Sequence, residues 1–316
     1  MLISKNASKT LSEAISSQEK TYCSGLFLSA RWFVVSQVAE SGTHVIIMPD
    51  KESAEYCSAD LYSLVEGDRV FFLPDSGKNV ERSNYKSSLG VQRTSAVGSI
   101  LANAANASLL YVVTYPEALE EPIPGKAKIA GAALVLKKDE EMGRDHIVST
   151  LLSQNFARVD FVSAPGQFAV RGAVIDIFSY SNNDPFRISF FGDEIEKINV
   201  FDCNTQLSKE ERESVEIFPD IIASDTESED GMSILEILPE NTVVWLDSSD
   251  MYKGKNFFSS LEKFHRVFLE IPLSEQGVEP IKFSITPQPV FNKNFELLSE
   301  DIRSRMEHGF RVQIYG

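Results

Sequence analysis

ARVDFVSAPGQFAVRGAVIDIFSY (157–180) and PFRISFFGDEIEKINVFD (185–202) are the two runs that decide how this chain folds. Both are rich in β-branched and aromatic residues, both alternate apolar with polar positions, and glycine-containing turns interrupt them at Gly172 and Gly192. That pattern predicts paired antiparallel strands with one face on a core. Along Phe186-Arg187-Ile188-Ser189-Phe190-Phe191 the period of two sends Ile188 and Phe190 inward. Arg187, Ser189 and Phe191 are then left on the other face, and the preceding strand adds Arg171 just before Gly172. An exposed Phe beside an exposed Arg is the pairing that protein interfaces favour at their energetic centre. A second reading stays open, in which Arg171 and Arg187 pair internally with Asp176, Asp193 or Glu194 and Phe191 completes a core. Gly172 and Gly192 read as backbone devices of the turns.

Working outward, ALVLKK (133–138) reads as a strand and RDHIVSTLLSQN (144–155) as a helix, which makes a self-contained α+β region. The chain before it has a different texture. HVIIMP (44–49), RVFFLPD (69–75) and YVVT within 108–119 read as strands, with helices over 51–65 and 95–107 and a helix start at Pro116. Strands alternating with helices at this spacing predict a mostly parallel, covered sheet. EPIPGKAKI (121–129) reads as the exit from this lobe, and the acidic run 208–231 as a solvated linker into the last one. There MSILEILPEN (232–241) reads as a helix and TVVWLDSSD (242–250) as a buried strand. The expected division is 1–132, 133–214 and 215–316, with the first and third parts completing one another. A C-terminus that ends on a strand, FRVQIYG (310–316), suggests a fragment of a longer protein.

Composition limits the function classes. The 316 residues are 43% hydrophobic and 24% charged, as in a globular protein with a sizeable core. No apolar run approaches the roughly 20 residues of a membrane helix, and the N-terminus lacks the apolar stretch of a secretory signal. Cys23, Cys57 and Cys203 have neither disulfide nor zinc spacing, so a reducing cytoplasm is the expected location. The formal charge of −16, with no cluster of Lys and Arg, disfavours duplex DNA binding by this chain alone.

Nucleotide chemistry leaves a second mark by what is missing. A phosphate-binding loop needs glycines, a Lys for the phosphates and a Ser or Thr for Mg²⁺. In YCSGLFLSARWFVVSQVAES (22–41) Gly25 is present, but Ser29-Ala30-Arg31-Trp32 stands where Gly-Lys-Ser/Thr belongs. An apolar helix is expected in place of the anion cradle. Arg31 could meet phosphate, but it reads as a surface cation. Gly77-Lys78 and Gly254-Lys255 lack the companion residues and read as turns. The acidic motif after a buried strand keeps Asp247, but Ser248 replaces the Glu that would orient water, and Asp250 has nothing to act on. His44, His146, His265 and His308 are scattered and suggest no catalytic set.

The run 156–208 carries R-V-D, G-Q-F-A-V-R-G, I-D-I-F and P-F-R-I-S-F-F-G-D-E-I in order. It resembles the region shared by the excision-repair helicase UvrB and the bacterial transcription-repair coupling factors of the Mfd type. PQPVFNKNFELLSEDIRSRMEHGFRVQIYG (287–316), VFFLPD (70–75) and VVTYPEAL (112–119) are similar to the coupling factors. The resemblance implies an α/β fold: a degenerate RecA/helicase-like parallel-sheet domain, split into 1a (1–132) and 1b (215–316), with an inserted α+β domain 2 (133–214). It implies that domain 2 binds UvrA, and it carries those contacts onto Arg171, Arg187 and Phe191. It also implies a full-length protein that uses ATP and Mg²⁺ in a separate motor, translocates on double-stranded DNA and releases stalled RNA polymerase. This chain is expected to have no catalytic, cofactor or metal residues. The alternatives are an active UvrB-type ATPase and a DNA-damage-binding module.

Overall fold

A computed structural model describes residues 5–17, 19–65, 69–76, 83–106, 108–182, 184–220, 231–247, 252, 254–273, 275, 277–285, 291–309 and 312. In chain order its strands begin with β1 (Lys20–Ser24), β2 (Thr43–Ile47), β3 (Val70–Phe72), β4 (Leu110–Thr114) and β5 (Leu134–Lys137). They continue with β6 (Ala157–Arg158), β7 (Gln167–Arg171), β8 (Val174–Phe178), β9 (Phe186–Phe191) and β10 (Glu194–Phe201). The last are β11 (Ser208–Arg212), β12 (Ser214–Ile217), β13 (Val243–Leu246), β14 (His265–Phe268) and β15 (Ile281–Lys282). The helices are α1 (Lys5–Ser17), α2 (Ala30–Val38), α3 (Lys51–Leu64), α4 (Ser83–Asn106), α5 (Pro116–Glu120), α6 (Lys126–Ala132), α7 (Arg144–Ser153) and α8 (Phe295–Glu307). Two compact units form: 1–70 with 107–116 and 239–316, and 71–106 with 117–238.

In the first unit six strands lie in the order β15-β1-β14-β13-β2-β4, every pair parallel. This is the covered parallel sheet that the alternating pattern predicts. β2, β4 and β13 are buried at every position, which is why HVII, LYVVT and VVWL read as unbroken apolar runs. Asp50 caps α3 by accepting from the Ser53 amide at 2.8 Å, so the Pro49-Asp50 signal is a helix start as well as a strand end. At the centre of the sheet His44 accepts from the Trp245 indole N–H at 3.0 Å and donates through Nε2 to the Ser41 carbonyl at 3.1 Å.

In the second unit the strands run β11-β10-β9-β8-β7-β6, antiparallel except for the short β6–β7 pair. α7 covers this sheet through Ile147 and Leu151, which join Phe168, Ile175, Ile177, Ile188 and Ile198 in one core. A separate ribbon pairs β12 with β5 and adds Leu134, Leu136, Val215 and Ile217 to that core. Elsewhere in the unit Arg93, fully buried, donates to the carbonyls of Pro74, Ala118 and Glu121 at 2.8, 2.9 and 2.7 Å. One side chain thus ties together three backbone acceptors from separate segments.

Two expectations change. The acidic run expected as a linker from 208 forms two strands first, because Val215 and Ile217 alternate with Ser214 and Glu216 in the antiparallel ladder to β5. Its remainder, 221–230, lies outside the described residues. MSILEILPEN holds only a 3₁₀ turn, Ile234–Glu236, since the capping box from Ser233 to Glu236 is followed at once by the buried Ile237-Leu238 and Pro239. The final run FRVQIYG is outside the described residues except for position 312.

Burial lowers the pKa of His44 to about 4. The folded unit therefore accepts the neutral imidazole, and the unfolded chain binds the extra proton between about pH 6.5 and 4. Stability from this group is complete above pH 6.5 and declines by about 3 kcal/mol as pH falls to 4. Both tryptophans, Trp32 and Trp245, lie in the first unit. Thermal unfolding followed by their fluorescence should show a midpoint that drops across this window, and His44→Gln should flatten that part of the dependence.

Candidate functional site

The sheet of the second unit has two unlike faces, and strand register decides which residues each carries. Ile175 stands opposite Ile188 and Ile177 opposite Phe186, all on the core side. On the other face Ala169, Asp176 and Arg187 form one row across β7, β8 and β9. Arg171, Val174 and Ser189 form the next row toward the hairpin tips, and Phe191 lies beyond Ser189. β9 alternates as expected, with Phe186, Ile188 and Phe190 buried, Arg187 and Ser189 half-buried, and Phe191 79% exposed.

A charge is sealed into this second face. Asp176 is 1% exposed and accepts from both arginines that the sequence singled out. Arg171 reaches it through Nη2. Arg187 grips it at two points, Nε to Oδ1 at 2.8 Å and Nη2 to Oδ2 at 3.0 Å. An isolated carboxylate buried this deeply would be costly, and two guanidiniums with their N–H groups offset that cost. The bond to Asp176 in turn raises the Arg187 pKa further above its ordinary value. Both guanidiniums lie over aromatic rings: Arg187 at 4.2 Å from the centroid of buried Phe201, Arg171 at 4.9 Å from Phe161, which is 63% exposed. Val162, Ala169, Phe178 and Phe201 pack into a small apolar cluster on the same face, which accounts for the burial of Asp176 beside them.

The two readings left open by the sequence are therefore both partly realised. Arg171 and Arg187 do pair internally, with Asp176, while Phe191 stays out of the core. Asp193 and Glu194 are exposed, and Asp193 contributes its carbonyl to the Met142 amide at 2.9 Å. Gly172 and Gly192, at φ +60 and +64, turn the two adjacent hairpins with open space where a side chain would stand. Arg144 ties the first of these tips down by donating to the Gly172 carbonyl at 2.7 Å.

Two members of this face were not found from the sequence. Gln206 accepts from Arg187 Nη2 through its side chain at 2.9 Å and from Nη1 through its carbonyl at 3.4 Å. The turn that delivers it is built by Asp202, whose Oδ1 accepts from the Asn204 and Thr205 amides at 2.9 Å each. Those amides lower the Asp202 pKa, and the turn places Gln206 at φ +61. Asp-Cys-Asn-Thr-Gln is a readable Asx-turn signal, but nothing local says that Arg187 is its target. Phe161 had no signal, because a lone Phe in VDFV fits a core equally well.

The candidate nucleotide site lies in the first unit, at the ends of its parallel strands. β1 leads through Gly25 into α2, the place of a phosphate loop. Arg31, expected as a surface cation, is instead only 15% exposed in its side chain and ion-paired to Asp247 and, at 2.7 Å, to Glu270. Its Nε donates to the Leu26 carbonyl at 3.4 Å, and neighbouring Ser29 donates to Asp60 at 2.7 Å. Burial raises the Asp247 pKa and Arg31 opposes that shift. Gly25 has a reason unrelated to phosphate: at φ +78, a Cβ would stand 2.1 Å from the Phe283 carbonyl oxygen. Behind the loop, Ala30, Trp32, Val34 and Val35 turn α2 into the expected apolar helix. Gly254 sits at φ +85, as suits a turn. Ser248, Asp250, Gly77 and Lys78 lie outside the described residues.

This geometry separates Phe191 from Arg187 by what their removal does to folding. Phe191→Ala should change the stability of the second unit by less than about 0.5 kcal/mol. Arg187→Ala should lower it by about 2–3 kcal/mol, because a buried carboxylate and a turn lose their shared donor. Urea unfolding followed by circular dichroism checks both.

Residues 134–221 match the family model of the UvrB interaction domain. The transcription-repair-coupling factor of Escherichia coli K12 is 39% identical over 89 residues, covering 28% of this chain and 8% of that protein. Its counterpart in Bacillus subtilis 168 is 28% identical over 198 residues, covering 62% of this chain and 16% of that protein. UvrABC system protein B of Chlorobium phaeobacteroides BS1 is 35% identical over 127 residues, covering 40% and 18%. The chain spans less than a fifth of the length of each of these relatives.

Proposed function

Because residues 134–221 match the UvrB interaction domain, we propose that this chain is the UvrB-like module of a transcription-repair coupling factor and recruits UvrA through the β7–β8–β9 face. The observation that carries this reading is Phe191, 79% exposed on a face that also presents Arg171 and is otherwise packed around a buried carboxylate. A large ring left in water beside a guanidinium fits a hot spot better than a core position. Docking would bury Phe191 as the anchor and set partner carboxylates against the arginines in charge-assisted hydrogen bonds. The domain limits that go with this reading are 1–132 and 215–316 for the split helicase-like domain, and 133–214 for the docking domain. Release of stalled RNA polymerase by an ATP-driven translocase on double-stranded DNA belongs, in this reading, to the whole coupling factor, working in the cytoplasm.

Binding to immobilised UvrA tests it. The wild-type chain should bind and weaken with rising salt. Phe191→Ala and Arg171→Ala should each lose at least about tenfold, as hot-spot truncations do, with circular dichroism unchanged. Undiminished binding by the double variant Phe191→Ala/Arg171→Ala sinks the reading.

A second reading, a UvrB-type ATPase, is favoured by one observation: β1, Gly25 and α2 keep the frame of a nucleotide site beside Asp247. We propose instead that this frame is not catalytic, since Arg31 already occupies the carboxylates Asp247 and Glu270. Isothermal titration with ATP and Mg²⁺ should show no binding in the micromolar range, and saturable binding there would restore the ATPase reading.

A further inference from the structure

The two arginines of the docking face are not equivalent. Each guanidinium has five N–H donors in a fixed fork. Arg187 spends four bonds inside its own face: two on Asp176, one on the Gln206 side chain and one on the Gln206 carbonyl. Its side chain is 22% exposed, with the guanidinium carbon 4.2 Å from the centroid of the buried Phe201 ring. Arg171 makes one recorded hydrogen bond, from Nη2 to Asp176, and its side chain is 35% exposed over the open ring of Phe161. Arg187 is thus turned inward, and Arg171 keeps Nε and Nη1 for something outside. The charge count agrees. Two guanidiniums share one carboxylate, so the cluster carries one positive charge that nothing recorded for these three residues neutralises.

We propose that Arg187 is a positioning residue that acts through Asp176, and that Arg171 makes the contact, presenting its free donors to a carboxylate of the docking partner. The inference rests on the docking reading above and divides labour within it. Arg187 and the Gln206 turn fix where the Asp176 oxygens sit. Asp176 Oδ2, shared between Nη2 of Arg187 and Nη2 of Arg171, then fixes the plane of the Arg171 fork. The Phe161 ring, 4.9 Å from the Arg171 guanidinium carbon, gives a second point of contact. A guanidinium held in one orientation loses less freedom on binding than a mobile one, so the benefit appears in the lifetime of the complex. The partner feature that completes the site is an acidic side chain beside an apolar pocket for Phe191.

A double-variant cycle measured on UvrA by surface plasmon resonance tests this. Arg171→Ala should weaken binding at least tenfold. Arg187→Ala should weaken it about tenfold through faster dissociation in the wild-type background, and less than twofold when Arg171→Ala is already present, because it then has nothing to aim. Arg187→Lys keeps the charge but not the two-point grip, and should show the same dependence on background. It serves in place of Arg187→Ala if that variant does not fold, and melting curves establish that every variant compared is folded at the assay temperature. An equal loss in both backgrounds, or no loss in the wild-type background, overturns the positioning role while leaving the docking face intact. Wild-type binding by both Arg171→Ala and Phe191→Ala would remove the docking face itself, and this inference with it.

Discussion

Burying Asp176 at 1% exposure would be prohibitive for an isolated carboxylate, and the second face of the antiparallel sheet is organised around answering that cost. Both arginines converge on it, Arg187 needs Gln206 to occupy its remaining donors, and Gln206 needs the Asp202 turn to reach its unusual backbone conformation. The small apolar cluster of Val162, Ala169, Phe178 and Phe201 excludes water and makes those bonds stronger. What is exposed on this face is therefore held from beneath. Phe191 and the outer edge of Arg171 sit on strands whose register is pinned by the core on one side and by an ion cluster on the other. A rigid display of this kind suits a docking surface, since little further ordering is needed on contact.

The first unit shows the same physics at the ends of its parallel strands. In an open parallel sheet, ligands bind beyond the carboxyl ends of the strands, and Asp247 at the end of β13 stands there. Left alone, a half-buried Asp247 beside Glu270 would repel an anion and attract a cation. Arg31 supplies that cation from within the chain by pairing with both carboxylates. The frame of strand, glycine and helix survives because it also has packing reasons, as the approach of Phe283 to Gly25 makes plain. Retention of a glycine in such a loop is thus poor evidence of nucleotide chemistry.

What could be read from the sequence follows from which forces are local. Strand alternation in FRISFF, the capped helix after Pro49-Asp50 and the buried runs HVII and VVWL were legible because their periodicity is set by neighbours within a few residues. The faces of Ile188, Phe190 and Phe191 followed from the same period. The partners of Arg31 were not legible, since Asp247 and Glu270 are 216 and 239 residues away. For Arg171 and Arg187 the candidates included Asp176, yet local pattern could not choose it over Asp193 or Glu194. Register made the choice, because Asp176 lies directly opposite Arg187 while Asp193 sits in the turn. The strands at 208–217 were missed for a related reason. β11 is exposed at all five positions and exists through its ladder to β10, so its composition reads as linker.

One consequence concerns how arginines on such faces should be interpreted. Arg187 is framed by apolar residues on a β-strand, and it is the more deeply committed of the two arginines to the fold. Its truncation would disturb both stability and recognition, so a lost complex would not identify it as a contact. Phe191 is 79% exposed, so it has little packing to lose and its effect on binding can be read directly. Distinguishing the two requires asking where each donor already points. On this face that count leaves Arg171 with most of its fork unspent, the feature on which its proposed role as the contact rests.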